Sequence, residues 1–171
     1  MMSKTIVIFH VLATLVVAAS FARAADAWQG AGIGTPCPTG SDTWDGTTMQ
    51  ITGAGEGLNV KGKDNVYFVH VAREAGDFQI VARLADFTGE SDSTAGMMVR
   101  TGDAADGPMT SLFFKAKENT VGWLSRVPGA SSQGAPQVFA SAIPLVKRPP
   151  LWLKMVRLGK NFIADGYGVA D

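Results

Sequence analysis

Apolar residues recur at every second position through most of the chain. From Asp77 to Leu84 the side chains of Phe78, Ile80, Ala82 and Leu84 fall on one side, and Gln79, Val81 and Arg83 on the other. That is the period of a strand with one buried face. Thr48 to Thr52 alternates through Met49 and Ile51. Val66 to Ala72 is apolar on both faces, which predicts a central strand. Ala95 to Thr101, Thr110 to Ala116, Thr120 to Arg126, Leu151 to Leu158 and Asn161 to Ala164 complete the predicted set. Ala25 to Asp45 is rich in Gly, Pro, Thr and Ser, and predicts an entry strand around Trp28 followed by a long loop. Turn residues separate the rest: a hairpin connection at Glu74 to Asp77, polar loops at Gly89 to Ser93 and Gly102 to Pro108, and a Pro/Gly/Ser stretch at Val127 to Ala135. Arg148-Pro149-Pro150 blocks a helix before Leu151. About eight to ten short strands with frequent turns make the chain all-β, a sandwich or a barrel. Phe68, Phe78, Ile80, Leu84 and Val99 are the expected core.

The N-terminus breaks this pattern. Lys4 precedes an apolar run, Ile6 to Ala19, interrupted only by His10 and Thr14, and Ala22-Arg23-Ala24 sets small residues before Ala25. Charge, apolar run and small-residue site together read as an export signal removed between Ala24 and Ala25. The run has 14 residues, whereas a membrane-spanning helix needs about 20, and no second run of spanning length follows. The expected organisation is a signal peptide over 1–24 and one domain over 25–171, with no membrane span after cleavage. Removing the signal takes Lys4 and Arg23 with it, which leaves 13 basic against 15 acidic residues over 147 positions. A chain so balanced lacks the clustered cations that nucleic acid requires. Cys37 is alone and makes no intrachain disulfide; between Pro36 and Pro38 it reads as a loop thiol.

An ordered series of motifs carries a resemblance. Ile33-Gly34, Gly40-Ser41, Ile51-Thr52-Gly53-Ala54-Gly55 and Asp64 open it. Gly76-Asp77-Phe78 with Ile80, Ala82 and Arg83 follows, then Ala95-Gly96-Met97-Met98-Val99-Arg100. Trp152-Leu153-Lys154 with Arg157, Gly159, Asn161 and Phe162 closes it. From Trp28 to Gly166 the chain resembles a concanavalin A-like lectin/glucanase domain of the DUF1349 or "regulation of enolase" type. The resemblance implies a jelly-roll sandwich of two curved antiparallel sheets in an exported bacterial protein, secreted, periplasmic or on the cell surface. It does not fix a function, since that fold hosts lectins, carbohydrate-binding modules, glycosidases and interaction domains. Relatives continue past Asn-x-Phe with further strands, whereas this chain stops at Asp171. Two readings follow: a compact variant, or a domain lacking its closing strand. The second leaves an open edge beside Leu151 to Leu158 and predicts an edge-to-edge homodimer.

The chemistry is read last. A glycosidase on this fold needs carboxylates at alternate positions of one strand, so that one acid protonates while another attacks. Beyond Glu56 the glutamates are Glu74, Glu90 and Glu118, all at predicted turns, so no catalytic residue is assigned and a hydrolase is disfavoured. No cofactor is implied. Asp42 with Asp45, Asp86 with Glu90 and Asp92, and Asp103 with Asp106 could give oxygen ligands to a structural calcium, but none has the order of a calcium loop. They read as turn acids, and no metal ligand is assigned. His70, alternating with Phe68, is expected as a hydrogen-bonded core histidine. Sugars bind aromatic faces flanked by fixed donors, which points to Arg100, Arg126, Trp123, Trp152 and Lys154 as a ligand-binding surface. The competing reading makes the tryptophans core and the arginines turn clamps. The expected function is a non-catalytic module that binds a polysaccharide; the alternative is a protein–protein assembly domain of the cell envelope.

Overall fold

The computed structural model describes residues 5–10, 28–35, 37–58, 63–72, 76–90, 92–127, 137–145 and 149–168, with burial for most of them. The expected hairpin connection at Glu74, the loop over 128–136 and the rest of the leader lie outside the described residues. Twelve strands are described: β1 (Thr5–His10), β2 (Gln29–Ile33), β3 (Gly40–Trp44), β4 (Thr48–Gly53), β5 (Val66–His70), β6 (Phe78–Thr88), β7 (Thr94–Arg100), β8 (Met109–Lys115), β9 (Thr120–Val127), β10 (Gln137–Pro144), β11 (Leu151–Leu158) and β12 (Asn161–Gly168). They form a six-stranded sheet ordered β12-β11-β6-β1-β4-β3, a four-stranded sheet ordered β10-β9-β8-β7, and the pair β2-β5. The recorded pairings between these strands are all antiparallel. Among the described residues none of the sheets closes into a barrel. Among the described residues no helix is long and apolar enough to cross a membrane.

The two larger sheets pack face to face. Met49, Ala82, Leu84, Leu151, Leu153 and Met155 from one meet Ala95, Leu112, Phe114 and Val121 from the other. Period-2 alternation dictates this: on β11, Leu151, Leu153 and Met155 are at most 1% exposed, while Trp152, Lys154 and Val156 between them are half-buried. A bulge lets β6 keep its apolar residues inward. Phe9 stands opposite Leu84 but Ile8 opposite Asp86, so Ala85 is the extra residue. Phe87 then joins Leu84 on the core side and meets Phe114 edge-on at 5.4 Å. Of the expected core, only Leu84 is fully buried; Phe68, Phe78, Ile80 and Val99 are half-buried, because they border the hollow described below.

The pair β2-β5 is fastened by Tyr67. Its ring lies against Gly40, where an added Cβ would come within 2.2 Å, its Cβ lies 3.0 Å from one added at Gly53, and its hydroxyl lies beside Gly30. The hydroxyl donates to Asp42 Oδ1 at 2.7 Å. Desolvation first, and the Asp42 carboxylate second, push the phenol up to about 12.

Three expectations change. The hairpin at the C-terminus is not cut short: β12 pairs with the whole of β11, from Leu158↔Asn161 to Leu151↔Gly168. With β6 on its other side, β11 has no open edge; among the described residues β12 ends that side of the sheet, so an edge-to-edge dimer there would pair through β12. The third is that Thr5–His10, from the segment read as a leader, forms an interior strand between β4 and β6. An Ile-Val-Ile run serves an export signal and a strand equally well, and periodicity alone does not separate them.

Candidate functional site

Arg100 and Arg126 lie in one row across the four-stranded sheet, since Arg100 pairs with Met109 and Met109 with Arg126. Two strand spacings, about 10 Å, separate their backbones, yet both guanidinium groups turn to the same carboxylate. Arg126 donates to Asp64 Oδ2 at 2.5 Å and to Oδ1 at 3.3 Å, and Arg100 donates to Oδ2 at 3.4 Å. Asp64 is 0% exposed, and the two arginine side chains are 3% and 4% exposed. The remaining donors hold the loop between β7 and β8. Arg126 donates to the carbonyls of Gly107 and Ala105, both at 3.0 Å. Arg100 donates to those of Gly102, at 2.9 Å, and Ala104. Burial lowers the Arg100 pKa from its ordinary value, and the Arg126 charge adds to this, while Asp64 opposes both. The arrangement is a clamp that pins residues 102–107 to the segment entering β5.

The five residues expected to share one surface are therefore divided. Arg100 and Arg126 donate to Asp64 and the loop, and Arg100 also to Met98 Sδ at 3.9 Å. Trp123, opposite Leu112 in the ladder, is half-buried and packs against the core. Trp152 and Lys154 lie on the opposite face of the other sheet, paired with Arg83 and Val81. The physical reason is alternation: Trp123 and Arg126 are three positions apart on β9 and so point to opposite faces.

A hollow of about 1660 Å³ provides a different site. It runs along the free edge of β7 and reaches both faces of that strand, so Trp123 and the two arginines all border it. Its walls carry aromatic rings next to cations. The Lys115 ammonium stands 5.9 Å from the Phe113 ring centre, and the Arg157 guanidinium 5.9 Å from that of Phe162. Phe113 is seated by glycines: an added Cβ on Gly96 would come within 2.6 Å of its Cβ, and one on Gly122 within 3.0 Å of its ring. Phe68 and His70 stack at 5.5 Å on the β5 wall, and Trp28 lines the hollow too. The buried Nδ1 of His70 has no hydrogen-bond partner among the described residues.

The acidic residues lining the hollow, Glu56, Glu90, Asp92, Asp103 and Glu118, are all exposed. Glu90, Asp92 and Glu118 are exposed and in turns or loops, and Asp92 pairs with Lys117 at 3.1 Å. Asp45 accepts from the backbone of Thr47 and Thr48, which makes it a turn acid. No group of three or more His, Cys, Asp or Glu that could hold a metal is found among the described residues. Cys37 is an exposed free thiol.

Sequence reasoning passed over Phe113, Lys115, Phe68, Arg157 and Phe162 as site residues. One signal was available: Phe113 and Lys115 are two apart on a strand and must share a face. Comparison with models of known families, with curated proteins and with solved structures gives no match, so the chemistry of the hollow carries the functional reading.

Proposed function

We propose that the chain is an exported, non-catalytic module that binds a polysaccharide along the hollow beside β7, on a concanavalin A-like jelly-roll sandwich. The observation that carries this reading is the hollow itself: a cleft of about 1660 Å³ lined by aromatic rings, two of which, Phe113 and Phe162, stand beside a cation. Pyranose rings present apolar C–H faces to aromatics and hydroxyls to neighbouring donors. Sites for small ligands are usually about 300–1,000 Å³, so this cleft suits a chain of several sugars. His70 Nδ1, buried and unpartnered, gains most from a ligand hydroxyl, because an unmet buried polar atom costs about 1–3 kcal/mol. The exposed setting of Glu90, Asp92 and Glu118 favours binding over hydrolysis, since a catalytic acid needs rigid support and a perturbed environment. Export rests on the Lys4, Ile6 to Ala19 and Ala22/Ala24 pattern.

A glycan array spanning plant, algal and bacterial polysaccharides tests the reading. Binding to at least one polymer, weakened tenfold or more by Phe113→Ala, is expected. A blank array overturns it, and sugar release from a bound polymer replaces it with a hydrolase. The second reading, an assembly domain of the cell envelope, is favoured by one observation: a central strand of the sheet comes from the leader segment.

A further inference from the structure

β7 divides the hollow. Alternation sends Gly96, Met98 and Arg100 to one side of the strand and Ala95, Met97 and Val99 to the other. Phe113 and Lys115, across the ladder from Gly96 and Thr94, lie on the first side. The second side faces the inside of the sandwich. Its walls are Met97, Val99 and Trp123 from the smaller sheet and Phe78, Ile80 and Phe162 from the larger, and all of these line the hollow. Each strand face is fixed by a core neighbour: Ala95 on β7, Val121 on β9, Leu84 on β6 and Met155 on β11, whose Arg157 pairs with Phe162. Burial falls along these strands. On β6, Leu84 and Ala82 are 0% and 4% exposed, but Ile80 and Phe78 are half-buried; on β11, Leu153 and Met155 are both 0% exposed, but Arg157 is half-buried. Stacked sheets stand about 10 Å apart, and their inner side chains normally fill the gap. Here the gap is filled at one end and left hollow at the other.

Arg157 sits at the mouth of that hollow end, beside the exposed turn at Gly159, and it is the one charged side chain among the described strand residues of these walls. Its Nε donates to the Gly159 carbonyl at 3.1 Å, and its guanidinium stands 5.9 Å from the Phe162 ring centre. Among the described residues no acid pairs with it, and the acids that line the hollow lie in turns and loops off these walls. An apolar slot with a cation at its mouth complements a molecule with an apolar tail and an anionic head. We infer that the inner side of the hollow is a second binding site, for an alkyl carboxylate. The carboxylate accepts from the Nη groups of Arg157, whose planar fork matches it, and the chain runs inward past Ile80, Met97 and Val99. From Phe78 to Ala82 is about 13 Å at the rise of a strand, the length of roughly ten methylene units. Ala82 and Leu153 close the inner end. Thr110 and Ser125, on the same inner face of the smaller sheet, bond each other at 3.0 Å, which leaves the hydroxyls of a sugar few partners here. The inference goes beyond the glycan reading, which keeps the outer side with Phe113 and Lys115, and does not rest on it.

The test titrates the full chain by calorimetry with the sodium salts of hexanoate, octanoate, decanoate and dodecanoate, each below its micelle concentration. Affinity is expected to rise about fourfold per methylene as far as decanoate, and to level off at dodecanoate, whose chain outruns the slot. Arg157→Gln is expected to weaken octanoate tenfold or more and to leave 1-octanol unchanged, because only the head has lost its partner. Methyl NMR of the unaltered chain gives a readout that needs no variant: octanoate shifts the methyls of Ile80, Met97 and Val99 and leaves the amides of Phe113 and Lys115 in place. Absence of decanoate binding, an affinity that ignores chain length, equal losses of octanoate and octanol in Arg157→Gln, or shifts centred on Phe113 and Lys115 each overturn the inference. If Arg157→Gln does not fold, the chain-length series and the methyl shifts decide. Phe113→Ala separates the two sites: octanoate affinity stays within about twofold, whatever that variant does to glycan binding, and a larger loss overturns the second site. A blank glycan array leaves the carboxylate result standing, and a blank carboxylate series leaves glycan binding on the outer side untouched.

Discussion

Replacing Asp64 by alanine removes the carboxylate to which both buried guanidinium groups donate. Asp64 is 0% exposed, and the side chains of Arg126 and Arg100 are 3% and 4% exposed, so water cannot take over the carboxylate's role without opening the loop. Removing one member of a buried ion pair costs about 3–5 kcal/mol, and here one carboxylate serves two cations. For a chain of this size each kcal/mol moves the melting temperature by about 2–4 °C, which gives a fall of roughly 6–20 °C for Asp64→Ala. The contacts also rank the arginines. Arg126 reaches both carboxylate oxygens, at 2.5 and 3.3 Å, whereas Arg100 reaches one at 3.4 Å, so Arg126→Ala costs more than Arg100→Ala. Thermal and urea unfolding of the three variants, with the Asp64→Ala/Arg126→Ala double variant to close the cycle, measures both claims. A loss below about 1 kcal/mol for Asp64→Ala, or additive single variants, refutes the clamp. Reading Arg100 from the sequence as a ligand donor predicts the opposite pattern, lost binding with an intact fold.

Leu153→Ala, at a 0% exposed position, is expected to cost about 2–5 kcal/mol, while Leu158→Ala, at 52% exposure, stays within about 0.5 kcal/mol; urea unfolding separates them. Tyr67 titrates late. Its folded pKa is raised from 10.0 to about 12, so the stability it contributes is fully present below pH 10 and is lost as the pH climbs toward 12. Phenolate absorbance on a chain with two tyrosines checks this: one group is expected to ionise near pH 12, and Tyr67→Phe removes it.

The strands whose apolar residues recur with period two or fill both faces were legible, among them β6, β7, β8, β9 and β11. β3 was not. Gly40–Trp44 is polar and mostly exposed, so its hydrophobicity does not alternate, and it exists because β4 offers it a ladder. β1 was hidden by ambiguity, since its residues meet the demands of a leader as well as those of a strand. β10 follows a Pro/Gly/Ser stretch that masks its start. At the site, the alternation that sets Arg100 beside Met98 and Arg126 beside Leu124 follows from spacing, and the register through Met109 puts the two on one face. Their convergence on Asp64, 36 and 62 residues away, is a tertiary event that no local pattern announces. The hollow was illegible for the same reason: it exists where β7 ends its sheet and β5 pairs elsewhere.

The most direct test of the account is amide and side-chain NMR of the full chain titrated with the oligosaccharide of whichever polymer binds. The account predicts shifts concentrated on Phe68, His70, Met98, Phe113 and Lys115, which line the hollow, with Trp152 and Lys154 unmoved on the far face of the other sheet. Shifts centred on Trp152 and Lys154, or none at saturating sugar, contradict it.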